Sequence, residues 1–103
     1  SWLRKVIKKC SQMGIILAEG EISAIALAIE INAMFLTNDL MAAKVAKSFN
    51  LEVHGVLYVL LESAKRKFIT PNIAEKLMWE MINKNLWLKK NVIQRFLSEL
   101  SKN

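Results

Sequence analysis

Residues Glu21 to Val53 read EISAIALAIEINAMFLTNDLMAAKVAKSFNLEV, and the fold class depends on how this stretch divides. Behind Glu21, the apolar residues Ile22, Ile25, Ala26, Ile29 and Ala33 recur at helical spacing. Ala24, Ala26 and Ala28 add helix propensity. The pattern predicts a helix over 21–31 that stops near Asn32. Ala33 to Leu36 then reads as a short buried strand, closed by Thr37-Asn38-Asp39. Met41, Val45 and Phe49 outline a second helix from Leu40 to Phe49, with Asn50 as its stop. Leu51-Glu52-Val53 alternates as a brief strand, and His54-Gly55 reads as a turn. Helices alternating with short strands imply a parallel sheet. The lengths are compatible, since a helix over 21–31 and a five-residue strand each span roughly 16 Å.

Downstream, Leu57, Leu60, Leu61 and Ala64 mark one face of a helix over 56–67. Thr70-Pro71 is a start signal, a capping hydroxyl followed by proline in the first helical position. It opens a helix through Ile73, Leu77, Met78, Met81 and Ile82. A last helix from about Lys89 to Leu100 carries Val92, Ile93, Phe96, Leu97 and Leu100. Upstream, residues 3–7 and 15–17 are short apolar runs that suit helix or strand equally. The expected fold is α/β, a short parallel sheet flanked by helices in a Rossmann-like three-layer arrangement, with a helical C-terminal half. No repeat, low-complexity segment or linker divides the chain, so residues 1–103 read as a single domain.

The chain has 103 residues, of which 53% are apolar. Its mean hydropathy is +0.25, high for so short a soluble chain. Part of the apolar surface is therefore expected to be covered by a partner or by a second copy, with a homo-oligomer the favoured form. The longest apolar stretch, Ile22 to Leu36, is interrupted by Ser23, Glu30 and Asn32. It falls short of the roughly 18 residues a spanning helix needs, so no membrane partner is expected. The N-terminal apolar run is broken by Lys8 and Lys9, unlike a signal peptide, which makes a cytoplasmic location the expectation. Cys10 stands alone, so it forms no internal disulfide or cysteine metal knuckle and reads as a small buried hydrophobe. The net charge is +6, with basic residues grouped at Arg4, Lys5, Lys8 and Lys9, at Lys65, Arg66 and Lys67, and at Lys89 and Lys90. Such grouping suits a polyanion such as RNA, or a solvated surface.

A crossover helix runs antiparallel to the strands it joins. Glu21 starts the helix over 21–31, so it falls at the C-terminal edge of the sheet. Asp39 follows the strand ending near Thr37 and emerges at the same edge, where open α/β sheets bind their ligands. Two carboxylates there suit Mg²⁺ or Mn²⁺. A metal so held activates water and stabilises charge on a phosphodiester. The simpler reading is that Asp39 caps the next helix and Glu21 complements the helix dipole.

These residues also resemble a known family. Glu19-Gly20-Glu21-Ile22-Ser23-Ala24-Ile25-Ala26-Leu27-Ala28 is similar to the GE-x-x-AIALA segment of PIN domains, especially an uncharacterised prokaryotic subgroup. Phe35-Leu36-Thr37-Asn38-Asp39 resembles the family's L-x-T-x-D strand end. Ala42, Ala43 and Ala46 resemble its AR-x-x-A helix, and the run from Leu51 to Leu61 resembles L-x-V-x-G-T-L-G-x-L-L. The likeness covers about residues 15 to 100. It implies a metal-dependent ribonuclease fold, used in many cases as the toxin of a toxin–antitoxin pair, with three or four acids around Mg²⁺ or Mn²⁺. By resemblance Glu21 matches the third acid and Asp39 the fourth, both as metal ligands, and Thr37 is the hydroxyl beside the fourth. RNA and an antitoxin protein are the implied partners.

The departures are specific. The family's first two acids lie on an N-terminal strand and the helix after it, and no Asp or Glu precedes Glu19 here. Val56 stands where the family has threonine, and Tyr58 where it has the next glycine. The expectation is the C-terminal part of a PIN-type domain, truncated, with half a metal shell that binds metal weakly. His54 is expected in a turn or core role, and Trp2, Trp79 and Trp87 in core or interface packing rather than stacking on bases. Three functional readings follow: an Mg/Mn-dependent endoribonuclease relative with an incomplete site, a non-catalytic oligomerising remnant, and a small basic nucleic-acid-binding protein.

Overall fold

The computed structural model of the chain describes residues 1–102. Its elements run α1 (Trp2–Met13), α2 (Glu19–Ile31), β1 (Phe35–Leu36), α3 (Leu40–Ser48), β2 (Val53–His54), α4 (Val56–Lys65), α5 (Pro71–Asn83) and α6 (Lys90–Ser101). They gather into two compact units, Ser1–Gly55 and Val56–Asn103. The chain is thus α/β, with its helical C-terminal half as expected.

In the first unit β1 and β2 pair in parallel, Phe35 opposite Val53 and Leu36 opposite His54, with α3 as the crossover. Phe35 N–H donates to Glu52 O and Thr37 N–H to His54 O, each at 2.8 Å. The strands are shorter than the hydropathy suggests, and His54 belongs to β2 rather than to a turn. The cause lies in how the preceding helices end. Asn32 and Asn50 adopt left-handed backbone, φ 56° and 60°, a conformation that asparagine tolerates better than most residues. The next amide then turns back into the helix: Ala33 N–H donates to Ala28 O and Leu51 N–H to Ala46 O. These residues close helix ends, so the ladder begins two residues later.

The same device recurs at Gly14 after α1, at Lys67 after α4 and at Asn85 after α5, all with positive φ. The following amides of Ile15, Phe68 and Leu86 bond back to Cys10 O, Ser63 O and Met81 O. It also explains why α4 stops at Lys65 rather than Lys67.

Helix α1 is the element that reading short apolar runs leaves undecided. Trp2, Leu3, Val6, Ile7, Cys10 and Met13 are all apolar at helical spacing. The Ser1 hydroxyl accepts from Arg4 N–H at 3.5 Å, and Gly14 stops the helix. Over the whole span the helical signal is complete. Within residues 3–7 it is not.

The core of the first unit comprises Val6, Cys10, Ile25, Ala26, Ala28, Phe35, Ala42, Val45 and Ala46. Its four alanines let helix backbones approach closely around Ile25 and Val45, which are both fully buried. The second unit packs α4, α5 and α6 around Leu60, Ala64, Ala74, Met78, Phe96 and Leu100. Thr70 caps α5 as its sequence predicts, accepting from Ile73 N–H at 3.2 Å with Pro71 in the first turn. No helix among the described residues is long and apolar enough to cross a membrane.

Candidate functional site

Thr37, Asn38 and Asp39 form the passage from β1 into α3. The backbone of Thr37 is tied to the sheet through His54 O. Its hydroxyl accepts from Asp39 N–H at 3.0 Å. The Asp39 carboxylate in turn accepts at one oxygen, Oδ1, from Met41 N–H at 2.8 Å and Ala42 N–H at 3.1 Å. This is a helix N-cap, so the capping role read from the sequence is real. A capping carboxylate uses one oxygen on the amides, and Oδ2 is left outside the cap. Asp39 is therefore pinned in orientation by two backbone bonds while keeping an acceptor for another partner.

A feature that spacing could not reveal is the close approach of Gly55 to this turn. A Cβ at Gly55 would run into Asn38 Oδ1 and sit 3.5 Å from Thr37 O. A side chain there would have to displace that of Asn38, because the segment following β2 lies directly against the turn that follows β1. The sequence signals are that Gly55 directly follows the second strand and falls on the glycine of the L-x-V-x-G pattern.

Glu21 lies in the first turn of α2 beside Glu19 and is half-buried. The cap residue Ala18 supplies no side-chain bond to that end, so the two carboxylates also complement the exposed amides of the helix start. Only Asn32, Ala33 and Met34 separate α2 from β1, so the chain turns sharply between them. Thr37 and Asp39 are thus joined by a hydrogen bond, and no hydrogen bond links Glu21 to either.

Glu21, Thr37 and Asp39 offer hard oxygen donors of the type Mg²⁺ and Mn²⁺ prefer. Their number is the limit: among the described residues no three His, Cys, Asp or Glu side chains converge to hold a metal. His54, in β2 and half-buried, sits 3.7 Å from Glu52 and belongs to neither helix start.

Trp2, Trp79 and Trp87 are 38%, 42% and 77% exposed, so none enters either core, which leaves interface packing as the expectation that stands. The indole N–H of Trp79 donates to Glu75 at 3.2 Å. Cys10 is buried as expected, and burial raises its thiol pKa.

Comparison with known proteins bears on what this arrangement is. The chain is similar to Endoribonuclease Nob1 of Methanocaldococcus jannaschii, 32% identical over 74 residues. That match covers 72% of this chain and 36% of the relative, so the matched stretch spans about a third of the relative's length. No solved structure matches. A family model described as a PIN domain matches residues 3–102, from the second residue of α1 to the residue after α6. That match takes in the helix start bearing Glu21, the β1 end bearing Thr37 and Asp39, and both units, and the chain belongs to the PIN domain family.

Proposed function

We propose that this chain contributes to phosphodiester cleavage in RNA, as part of a divalent-metal-dependent endoribonuclease site to which it supplies Glu21, Thr37 and Asp39. What carries the reading is the Thr37–Asp39 linkage at the end of β1 in a chain of the PIN family. It orients a carboxylate at a strand's C-terminal end without using both of its oxygens. Glu21 and Asp39 would hold the ion, Mg²⁺ or Mn²⁺, and its chemistry is to lower the pKa of bound water and offset phosphoryl charge. Thr37 keeps the Asp39 backbone in place, and Glu21 adds a second negative charge. Two acids are fewer than the family's three or four, so a full shell requires further carboxylates from outside this set.

The test separates the cap from the ligand. Asn is as good an N-cap as Asp, so Asp39→Asn keeps α3 intact while removing the charge. The measured quantity is cleavage of single-stranded RNA with Mn²⁺ and with EDTA. Mn²⁺-dependent cleavage that disappears in Asp39→Asn, with an unchanged unfolding midpoint, is the expected result. Cleavage that survives in Asp39→Asn would sink the assignment.

A second reading is favoured by the absence of a third converging ligand among the described residues. In it the chain is a non-catalytic member of the family that acts through association with its own kind. It predicts a stable homo-oligomer in light scattering, with no heat of Mn²⁺ binding by calorimetry. A monodisperse monomer counts against it.

A further inference from the structure

The first unit has six basic and five acidic residues, so its net charge is small, yet the basic residues are concentrated on two helices. Its basic residues lie on α1 (Arg4, Lys5, Lys8, Lys9) and on α3 (Lys44, Lys47). Its acids lie on α2, at Asp39 and at Glu52. Helix α1 contains no acid, and none of its four cations is paired with a carboxylate among the described residues.

Helix geometry sorts the side chains of α1. Val6 and Cys10 are buried. Arg4, Lys5 and Lys8 are exposed and Lys9 is half-buried. Arg4–Lys8 and Lys5–Lys9 are i,i+4 pairs, so each forms a row of positive charge rising about 6 Å per step. Like charges at this spacing oppose helix formation. No carboxylate relieves them, so the row leaves a field that attracts a line of negative charge.

Aromatic rings border the same row. Lys5 Nζ lies 4.3 Å from the centroid of the Trp2 ring, and Lys9 Nζ 5.6 Å from that of Phe49. The two rings meet edge to face, 6.5 Å apart at 89°. Each ammonium is thus held beside an aromatic face rather than beside a carboxylate.

We infer that α1, with Trp2 and Phe49, is a binding surface for single-stranded nucleic acid, in which Arg4, Lys5, Lys8 and Lys9 take successive phosphates and Trp2 stacks on a base. A single strand fits better than a duplex because only its bases are open to a ring. An anionic bilayer is the competing occupant, because Leu3, Ile7 and Met13 of α1 stay 44%, 50% and 38% exposed beside the buried Val6 and Cys10. A single strand fits better because Lys5 Nζ lies over the Trp2 ring, which sets a phosphate contact beside a stacking face. The inference uses none of Glu21, Thr37 or Asp39 and stands apart from the cleavage reading.

The experiment measures binding of the whole chain to a labelled oligouridine by fluorescence anisotropy, with EDTA present so that cleavage plays no part. Four phosphate contacts predict affinity about fiftyfold weaker at about 200 mM KCl than at about 50 mM. In the double variant Arg4→Gln/Lys8→Gln the same change in salt should weaken binding only about sevenfold. Both positions are exposed, so that variant keeps its fold, and its circular dichroism confirms this. Trp2→Ala should lose at least about fivefold in affinity. In a Trp79→Phe/Trp87→Phe background, the remaining Trp2 fluorescence should be quenched on binding. Three outcomes would overturn the proposal: no binding to the oligomer, the same salt dependence in Arg4→Gln/Lys8→Gln as in the wild type, or tighter binding to phosphatidylserine vesicles or to the duplexed strand.

Discussion

The two units of this chain handle charge in different ways. Val56–Asn103 is the more basic, with nine cations against four acids. There two of the four acids neutralise locally, while Lys67, Lys76, Lys84, Lys89, Lys90 and Arg95 form no ion pair among the described residues. Glu62 faces Lys65 at 3.9 Å and Arg66 at 3.7 Å within α4, and Glu99 reaches Lys102 at 3.1 Å at the end of α6. Ser1–Gly55 is nearly neutral in sum, but α1 carries four cations without an acid. Net charge alone would point to the second unit as the polyanion-binding one. Arrangement points to the first, because a field depends on separation of charge and not only on its total.

The units also differ in their cores. The first packs small residues, alanines above all, around Ile25 and Val45. The second relies on fewer and larger side chains, among them Met78 and Phe96. The largest expected effects come from emptying these centres. Ile25→Ala and Met78→Ala should each cost about 2–5 kcal/mol. Amide hydrogen exchange reads where the loss falls: α1–α3 for Ile25→Ala and α4–α6 for Met78→Ala. Equal loss of protection throughout the chain in both variants would dissolve the distinction between the two cores.

The next effect concerns the turn that holds the candidate site. Gly55→Ala brings a methyl group into Asn38 Oδ1 and should destabilise by about 1–3 kcal/mol. A urea midpoint equal to that of the wild type would show that Asn38 moves aside freely and that the turn is softer than it looks.

A smaller effect tests the charge comparison itself. Glu62→Gln removes the partner of Lys65 and Arg66 and should cost about 0.3–0.5 kcal/mol. Lys8→Gln removes a like-charge neighbour of Arg4 and should gain a similar amount. Thermal unfolding at low salt measures both, and the two shifts should shrink together as salt is added. Shifts of the same sign would contradict the contrast between the units.

The smallest effect is a pH dependence confined to the first unit. Burial raises the Cys10 thiol pKa in the folded chain. The folded state therefore resists forming the thiolate, and the unfolded state loses its proton first. Stability is unaffected below the ordinary thiol range of about 8.5 and declines as pH rises from there through the folded value. Urea midpoints across this range should fall more steeply for the wild type than for Cys10→Ala, where the thiol is gone. Parallel curves would show that the thiol is not shielded.

Much of this was legible in the sequence because it is local. The period of apolar residues between Glu21 and Phe49, the caps Asp39 and Thr70, and the stops at Asn32 and Asn50 all act within a few residues of themselves. Their roles follow from backbone chemistry that neighbours do not override. Helix α1 was equally legible from Ser1 to Gly14, but only when the whole span is read, since a five-residue run does not distinguish a period of 3.6 from one of 2. Family membership was legible for the same reason, through ordered motifs at the strand and helix ends.

What only the tertiary structure decided are the relations between distant segments. Nothing near Gly55 in sequence announces that Asn38 lies against it. The pairing of Phe35 with Val53 set the true strand limits, because the amides of Ala33 and Leu51 were already committed to closing helices. Trp2 and Phe49 come together only when α1 packs on α3, and that contact gives the cations of α1 an aromatic border. Local propensity comes from short-range sterics and hydrogen bonding, whereas sites and surfaces arise from packing, which brings together residues that a linear reading keeps far apart.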